Sequence, residues 1–333
     1  MTYSSAGLIQ ATDYNGFAST TAGANVNDVW GVGSTDKGWG QGTTLSTVSA
    51  TGTVGATEWA SLVSRISSMG SQTATAITAR TGPTVGETIG ILAAVNTDLT
   101  NCTTNRGFAA ASGTTSSTWT GSTAKTSVTG SGQAAWTMTF THVVTFPSAA
   151  QARYFWNAGG LIRLDFNKSS TGTDSDADWN TFAGTMGALY LSGRVNSAAQ
   201  TIAAQSYTGF TRIGGSGTPN THATTTGWYS LTADGVPTTM FKLFSAVSPY
   251  TGNYIQVTAA KNSGLTTATF VTTWVSTGTA VVGSTANISG GTDTASPYTT
   301  FGTAPAVLCR YIPPSTTYLT DTWGTPAIAG TVA

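Results

Sequence analysis

Residues 136–146 read WTMTFTHVVTF. Trp136, Met138, Phe140, His142, Val144 and Phe146 alternate with Thr137, Thr139, Thr141, Val143 and Thr145, the two-residue period of a strand with one core face and one threonine face. Pro147-Ser148 follows, with the serine placed to cap a helix over Ala149 to Asn157 that ends at Gly159-Gly160. Leu161-Ile162-Arg163-Leu164-Asp165-Phe166 then reads as a second strand, so the unit is strand, helix, strand. Asp174, Asp176 and Asp178 open another helix carrying Trp179, Phe182 and Met186, with their carboxylates near its positive N-terminal end, and Tyr190-Leu191 begins a further strand. Tyr254 to Ala260, the turn Asn262-Ser263-Gly264, and Thr266 to Val275 form a β-hairpin. Residues 133–333 are therefore a β-rich domain, mainly antiparallel and sandwich-like with short helices. No repeat of about 20 to 50 residues recurs, which removes solenoids, propellers and parallel β-helices.

Upstream the pattern differs. Residues 1–55, rich in Gly, Asn and Thr with isolated aromatics such as Tyr14, Phe17, Trp30 and Trp39, read as an irregular N-terminal arm. Residues 56–110 read as helical: Thr57 as N-cap, then Trp59, Leu62, Val63, Ile66 and Met69 three and four apart, with Gly70 as terminator. A second helix is expected from Glu87 to about Asn101, with Leu92, Val95 and Leu99 on one stripe. Residues 111–132 are a Ser/Thr/Gly-rich linker or polar edge hairpin, and a domain boundary is placed there. The fold class is α+β, a helical N-terminal region followed by the β-rich one.

Only 8% of residues are charged, against about 25% in ordinary soluble domains. Ser, Thr, Asn and Gly keep this surface wet, and hydroxyl-rich surfaces lose little on desolvation when another subunit covers them. Thirteen basic and thirteen acidic residues give a formal net charge of zero, so there is no field for a phosphate backbone or anionic lipid, and nothing to hold copies apart. Nucleic acid is thus not an expected partner, and self-association is. The N-terminus MTYSSAGLIQATDYNGF has neither a basic n-region nor an apolar h-region, and no run approaches the ~20 residues of a membrane span. Neither Sec-type secretion nor membrane insertion is expected.

A bridge between Cys102 and Cys309 would close a loop of roughly 200 residues, worth up to ~5 kcal/mol. Two buried free thiols are the plainer reading, with that bridge or an intersubunit one as the alternatives. His142 and His222 are the only imidazoles; the first reads as a core histidine bonded to a hydroxyl, the second as solvent-facing in the turn Pro219-Asn220-Thr221-His222. No G-x-S-x-G elbow and no zinc spacing accompanies them. Asp174-Ser175-Asp176-Ala177-Asp178 imitates the opening of an EF-hand loop, but Trp179 stands where the turn glycine belongs and Thr185 where the bidentate Glu belongs. Helix capping is the reading, with calcium as its alternative. Nothing singles out a catalytic carboxylate pair, and no phosphate-binding loop occurs: Gly214-Gly215-Ser216-Gly217 lies in a turn-like region. Trp228, Trp274 and Trp323 could stack on sugars or pack a core or subunit contact. No enzyme activity and no cofactor is expected.

Three stretches carry a resemblance: Asn27-Asp28-Val29-Trp30 with Asp36-Lys37-Gly38-Trp39-Gly40-Gln41, then Ala56-Thr57-Glu58-Trp59-Ala60-Ser61-Leu62, and Gln151-Ala152-Arg153-Tyr154-Phe155-Trp156-Asn157-Ala158-Gly159-Gly160. Over most of its length the chain resembles uncharacterised virion structural proteins of tailed phages, particularly contractile-tailed phages of aquatic bacteria. In these the Arg-Tyr-Phe-Trp-Asn-Ala-Gly-Gly stretch precedes a β-strand and carries no catalytic residue. The resemblance implies a virion location, assembly in the host cytoplasm with release by lysis, and partners that are other copies and other virion proteins. Tail, neck, collar and fibre positions fit it. Trp30, Trp39, Tyr154, Phe155 and Trp156 are the candidate packing or interface aromatics. A receptor-binding module for a host surface glycan and a capsid decoration protein are the rival roles.

Overall fold

The computed structural model describes residues 11–19, 25–85, 94–108, 119–124, 135–169, 174–193, 199–247, 250–277 and 304–333. Its helices are α1 (Ala11–Ala18), α2 (Val26–Trp30), α3 (Ala56–Gln72), α4 (Val95–Thr104), α5 (Ala149–Asn157) and α6 (Asp174–Met186). The strands are β1 (Thr120–Ala124), β2 (Trp136–Thr145), β3 (Leu161–Asn167), β4 (Ala188–Leu191), β5 (Gln200–Ile202), β6 (Gln205–Tyr207), β7 (Phe210–Ile213), β8 (Thr221–His222), β9 (Thr238–Phe244), β10 (Tyr254–Lys261), β11 (Thr267–Ser276), β12 (Ala306–Ile312) and β13 (Ala327–Val332). The class is α+β, as the sequence predicts.

Two antiparallel sheets form the β-rich part, one ordered β1-β12-β3-β4-β7 and the other β13-β2-β11-β10-β9-β8, with β5-β6 as a separate ribbon. β2 sits inside the second sheet because every second residue is apolar, and Met138, Phe140, His142 and Val144 are all buried. The expected hairpin is β10 with β11, in unbroken register from Tyr254 opposite Val275 to Lys261 opposite Ala268. The sheets approach at both edges. On one side Gly121 of β1, at φ +61°, lies so close to Ile328 of β13 that a Cβ would run into it. On the other, His222 Nε2 of β8 is 2.7 Å from the Phe210 carbonyl oxygen of β7. Helix α6 sends Trp179 into one end of the space between them, stacked 5.5 Å from Trp274 and against Trp136. From α5, Phe155 and Trp156 enter at the other end, onto Phe146.

Three expectations about the N-terminal half need correction. The stretch 1–55 is not simply an irregular arm: it holds α1 and α2, whose Tyr14 and Phe17 meet Trp59 of α3 edge-on. The N-cap of α3 is Gly55 rather than Thr57, because Glu58 reaches back and accepts the Gly55 N–H at 3.0 Å. Nor does Gly70 end that helix. It runs to Gln72 and closes over Ala74 at φ +49°, where Thr75 N donates to the Gly70 carbonyl at 2.8 Å. Of the second helix, α4 covers Val95 to Thr104 with Val95 and Leu99 buried; Glu87 and Leu92 lie outside the described residues.

The boundary expected at 111–132 does not separate two cores. One buried cluster runs from Tyr14 and Trp59 through Phe155 and Trp156 to Phe270 and Trp323. Within that span β1 is an edge strand paired with β12, and the remainder, 111–118 and 125–132, lies outside the described residues.

Candidate functional site

Trp30, Trp39, Tyr154, Phe155 and Trp156 meet where the N-terminal segment joins α5. Ser148 caps α5 by accepting the Gln151 N–H at 3.2 Å, which aims the apolar side of the helix, Phe155 and Trp156, into the core. Asn157 then acts as a hub. Its Nδ2 donates to the Gly38 carbonyl at 3.0 Å, its Oδ1 accepts from the Tyr229 hydroxyl at 2.6 Å, and its carbonyl accepts Trp39 Nε1 at 3.1 Å. Trp39 Nε1 also donates to the Arg106 carbonyl at 3.2 Å, while Gln41 and Thr322 tie the same stretch to the 320–322 loop. Gly40, at φ +70°, leaves the room that the Tyr154 ring fills. Trp30 packs edge-on to Trp39 at 6.2 Å. All five candidate aromatics are buried, so within one chain they are packing residues that weld the N-terminal segment to α5.

Other candidates land differently. Cys102 of α4 and Cys309 of β12 are both buried free thiols, not a disulfide. Burial pushes the Cys102 thiol up to about 11, with Asp98 adding to the effect, and burial raises Cys309 further still. His142 is the expected core histidine, 3.3 Å from the Thr123 hydroxyl, and burial lowers its pKa to about 4. His222 is not solvent-facing; it is half-buried, held at Phe210 and edge-on to Phe241. Trp228, Trp274 and Trp323 are at most 2% exposed, so none can stack on a sugar from solvent.

Asp178, last of the calcium-like aspartates, faces inward. Its Oδ1 accepts from the Ser245 hydroxyl at 3.2 Å, and its Oδ2 is buried without a hydrogen bond. It lines a cavity of about 120 Å³ with Phe182, Thr185, Ser216, Leu243 and Phe244. Burial pushes this carboxyl up to about 7, against a smaller lowering by Ser245. α6 begins at Asp174. Among the described residues no three His, Cys, Asp or Glu side chains gather as metal ligands, and no helix is long and apolar enough to cross a membrane.

The six-stranded sheet turns one regular face outward. Directly paired residues share a face, so the rows can be read from the register. Thr331, Thr141, Val271 and Thr258 form one row, and Thr139, Thr273 and Gln256 form the next. Across β13, β2, β11 and β10 these outward positions carry no charged side chain; the first is Lys242 on β9, opposite Gln256. Period-two alternation in the sequence already marks this face. Two features escaped sequence reasoning. Asn157 as a hub has no local signal, since its partners are far away in the chain. The inward turn of Asp178 is hidden because acidic residues opening a helix ordinarily face solvent.

Compared with family models, with curated proteins and with solved structures, the chain matches none.

Proposed function

We propose that this chain is a non-enzymatic structural protein of a tailed-phage virion, self-assembling as a building block of a tail, neck, collar or fibre appendage. The observation that carries the reading is the uncharged threonine face of the six-stranded sheet. Covering hydroxyls costs less desolvation than covering Lys or Glu, and a sheet face of this kind can meet its own copy about a two-fold axis. Four strands about 4.8 Å apart and about eight residues long present roughly 500 Å², somewhat under the ~800 Å² each partner contributes to a stable interface. A second copy is the occupant that fits, because it offers the same uncharged rows and a net charge of zero supplies no repulsion. The likeness of residues 151–160 to virion proteins supports a place on the particle. The dense aromatic junction around Asn157 supports a mechanical role.

Sedimentation velocity on the chain and on the double variant Thr141→Lys, Thr273→Lys tests the assembly step. The wild type is expected to associate with rising concentration, and the variant to stay monomeric with unchanged circular dichroism and melting. A wild type that is monomeric throughout, or an oligomer indifferent to both lysines, would contradict the proposal.

A further inference from the structure

Three neighbouring parts of the fold enclose the cavity at Asp178. Helix α6 lines it with Asp178, Thr181, Phe182 and Thr185, one helix face at spacings of three and four. β9 and the residues after it supply Leu243 to Val247, and the connection from β7 to β8 supplies Ser216 and Gly217. The rim is open, since Thr181, Ser216 and Ala246 are exposed. The floor is closed: Asp178, Phe182, Leu243 and Ser245 are all buried. Asp178 is the one charged side chain among the described lining residues. The Ser245 hydroxyl donates to its Oδ1, while its Oδ2 meets no donor among the described residues. Arg212, beside the rim, directs its donors to the carbonyls of Thr185, Met186, Ser216 and Gly217. Among the described residues no cation forms an ion pair with Asp178.

We propose that this cavity binds a short primary alkylammonium ion, its head on the Asp178 carboxylate and its alkyl chain against Phe182 and Leu243. A buried acceptor left without a donor is costly, and a cation that donates to it supplies both the missing hydrogen bond and the opposite charge. An ammonium is compact and carries three donors, whereas a guanidinium is a wide planar fork. Apolar walls around a few convergent polar groups are the make-up of a small-molecule site. The volume of about 120 Å³ lies a little below the ~150 Å³ of a cavity that holds benzene, so roughly five or six non-hydrogen atoms fit. That is the size of butylammonium or of the outer end of a lysine side chain. A metal cation would need several oxygen ligands, and an anion would meet the carboxylate. The inference stands apart from where the chain sits on a particle, because the cavity makes no use of the threonine face.

Saturation-transfer NMR on the full chain, at pH 8 and constant ionic strength, tests n-butylammonium, ethylammonium, Nα-acetyl-lysine methylamide, n-butanol and butyrate, with potassium as competitor. Butylammonium is expected to bind saturably, and ethylammonium about ten-fold more weakly, since each buried CH₂ is worth roughly four-fold. Asp178→Asn keeps the side chain's shape and removes its charge, and is expected to weaken butylammonium at least ten-fold, the scale of one charge-assisted hydrogen bond. Its melting temperature, expected at or above that of the wild type at pH 8, separates a binding defect from a folding one. Burial holds the Asp178 carboxyl at about 7, and it must ionise to pair, so wild-type affinity should fall about ten-fold from pH 8 to pH 6 while the variant's stays flat. Lysine methylamide binding within a few-fold of butylammonium would support a lysine side chain of a partner protein as the source; butylammonium binding alone would support a free amine. Butanol or butyrate binding as tightly as butylammonium, or potassium displacing it, would overturn the proposal. So would no saturable binding, or Asp178→Asn binding butylammonium like the wild type.

Discussion

Asp178 and His142 are both buried, and they titrate with opposite effects on stability. The Asp178 carboxyl holds its proton to about pH 7 in the folded chain and to about 3.8 when unfolded, so its contribution is fully present near pH 4 and is lost as pH rises through 7. His142 is lowered from 6.5 to about 4, so its contribution is present above 6.5 and is lost as pH falls towards 4. The two partly cancel in the same window. Asp178→Asn removes the first alone: the variant should gain on the order of 2–4 kcal/mol over wild type at pH 8, and the gain should shrink to nothing near pH 4. Urea midpoints measured from pH 4 to 8 check this, and a gain that is constant with pH would refute it. His142 was legible in the sequence because strand alternation alone puts it among Met138, Phe140 and Val144. Asp178 was not, because its environment comes from Ser245, 67 residues away, and local pattern carries no trace of that approach.

At the scale of elements, strong periods were readable and short helices were not. β2, α5, β3 and the β10-β11 hairpin stand where alternation and capping predict. Because Ser148 satisfies an otherwise orphaned N–H at the start of α5, Ser148→Ala should cost about 1 kcal/mol, read as a lower denaturation midpoint with an unchanged m-value. No loss would mean that packing of Phe155 and Trp156 alone fixes the helix. α1 and α2 are eight and five residues long, too short to form on their own or to show a period, and they persist by packing on Trp59 and Trp39. The threonine face was visible as a pattern, whereas the opposition of Arg163 on β3 to Arg310 on β12 was not. Each arginine falls on a predictable side of its own strand, but their opposition depends on the register of strands far apart in the sequence.

Across the whole molecule, several of the scarce charges are held in pairs. Arg106 is buried and paired with Asp36 at 3.1 Å, and Arg80 is buried against Asp98 at 2.5 Å. Composition signalled a chain whose surface suits coverage by neighbours, but it could not tell which surface, since Ser and Thr are spread along the sequence. The segment expected to be an arm is tied by Trp39, Gln41 and Arg153 to α5 and the 320–322 loop, and one continuous core results. A body built this way fits a repeated mechanical part, and that is the central claim. Immunogold electron microscopy on intact source virions, with an antibody against this chain, tests it most directly. Regularly spaced label on the tail, neck or fibres is the result predicted; label confined to the head, or none on intact and partly disrupted particles, would contradict it.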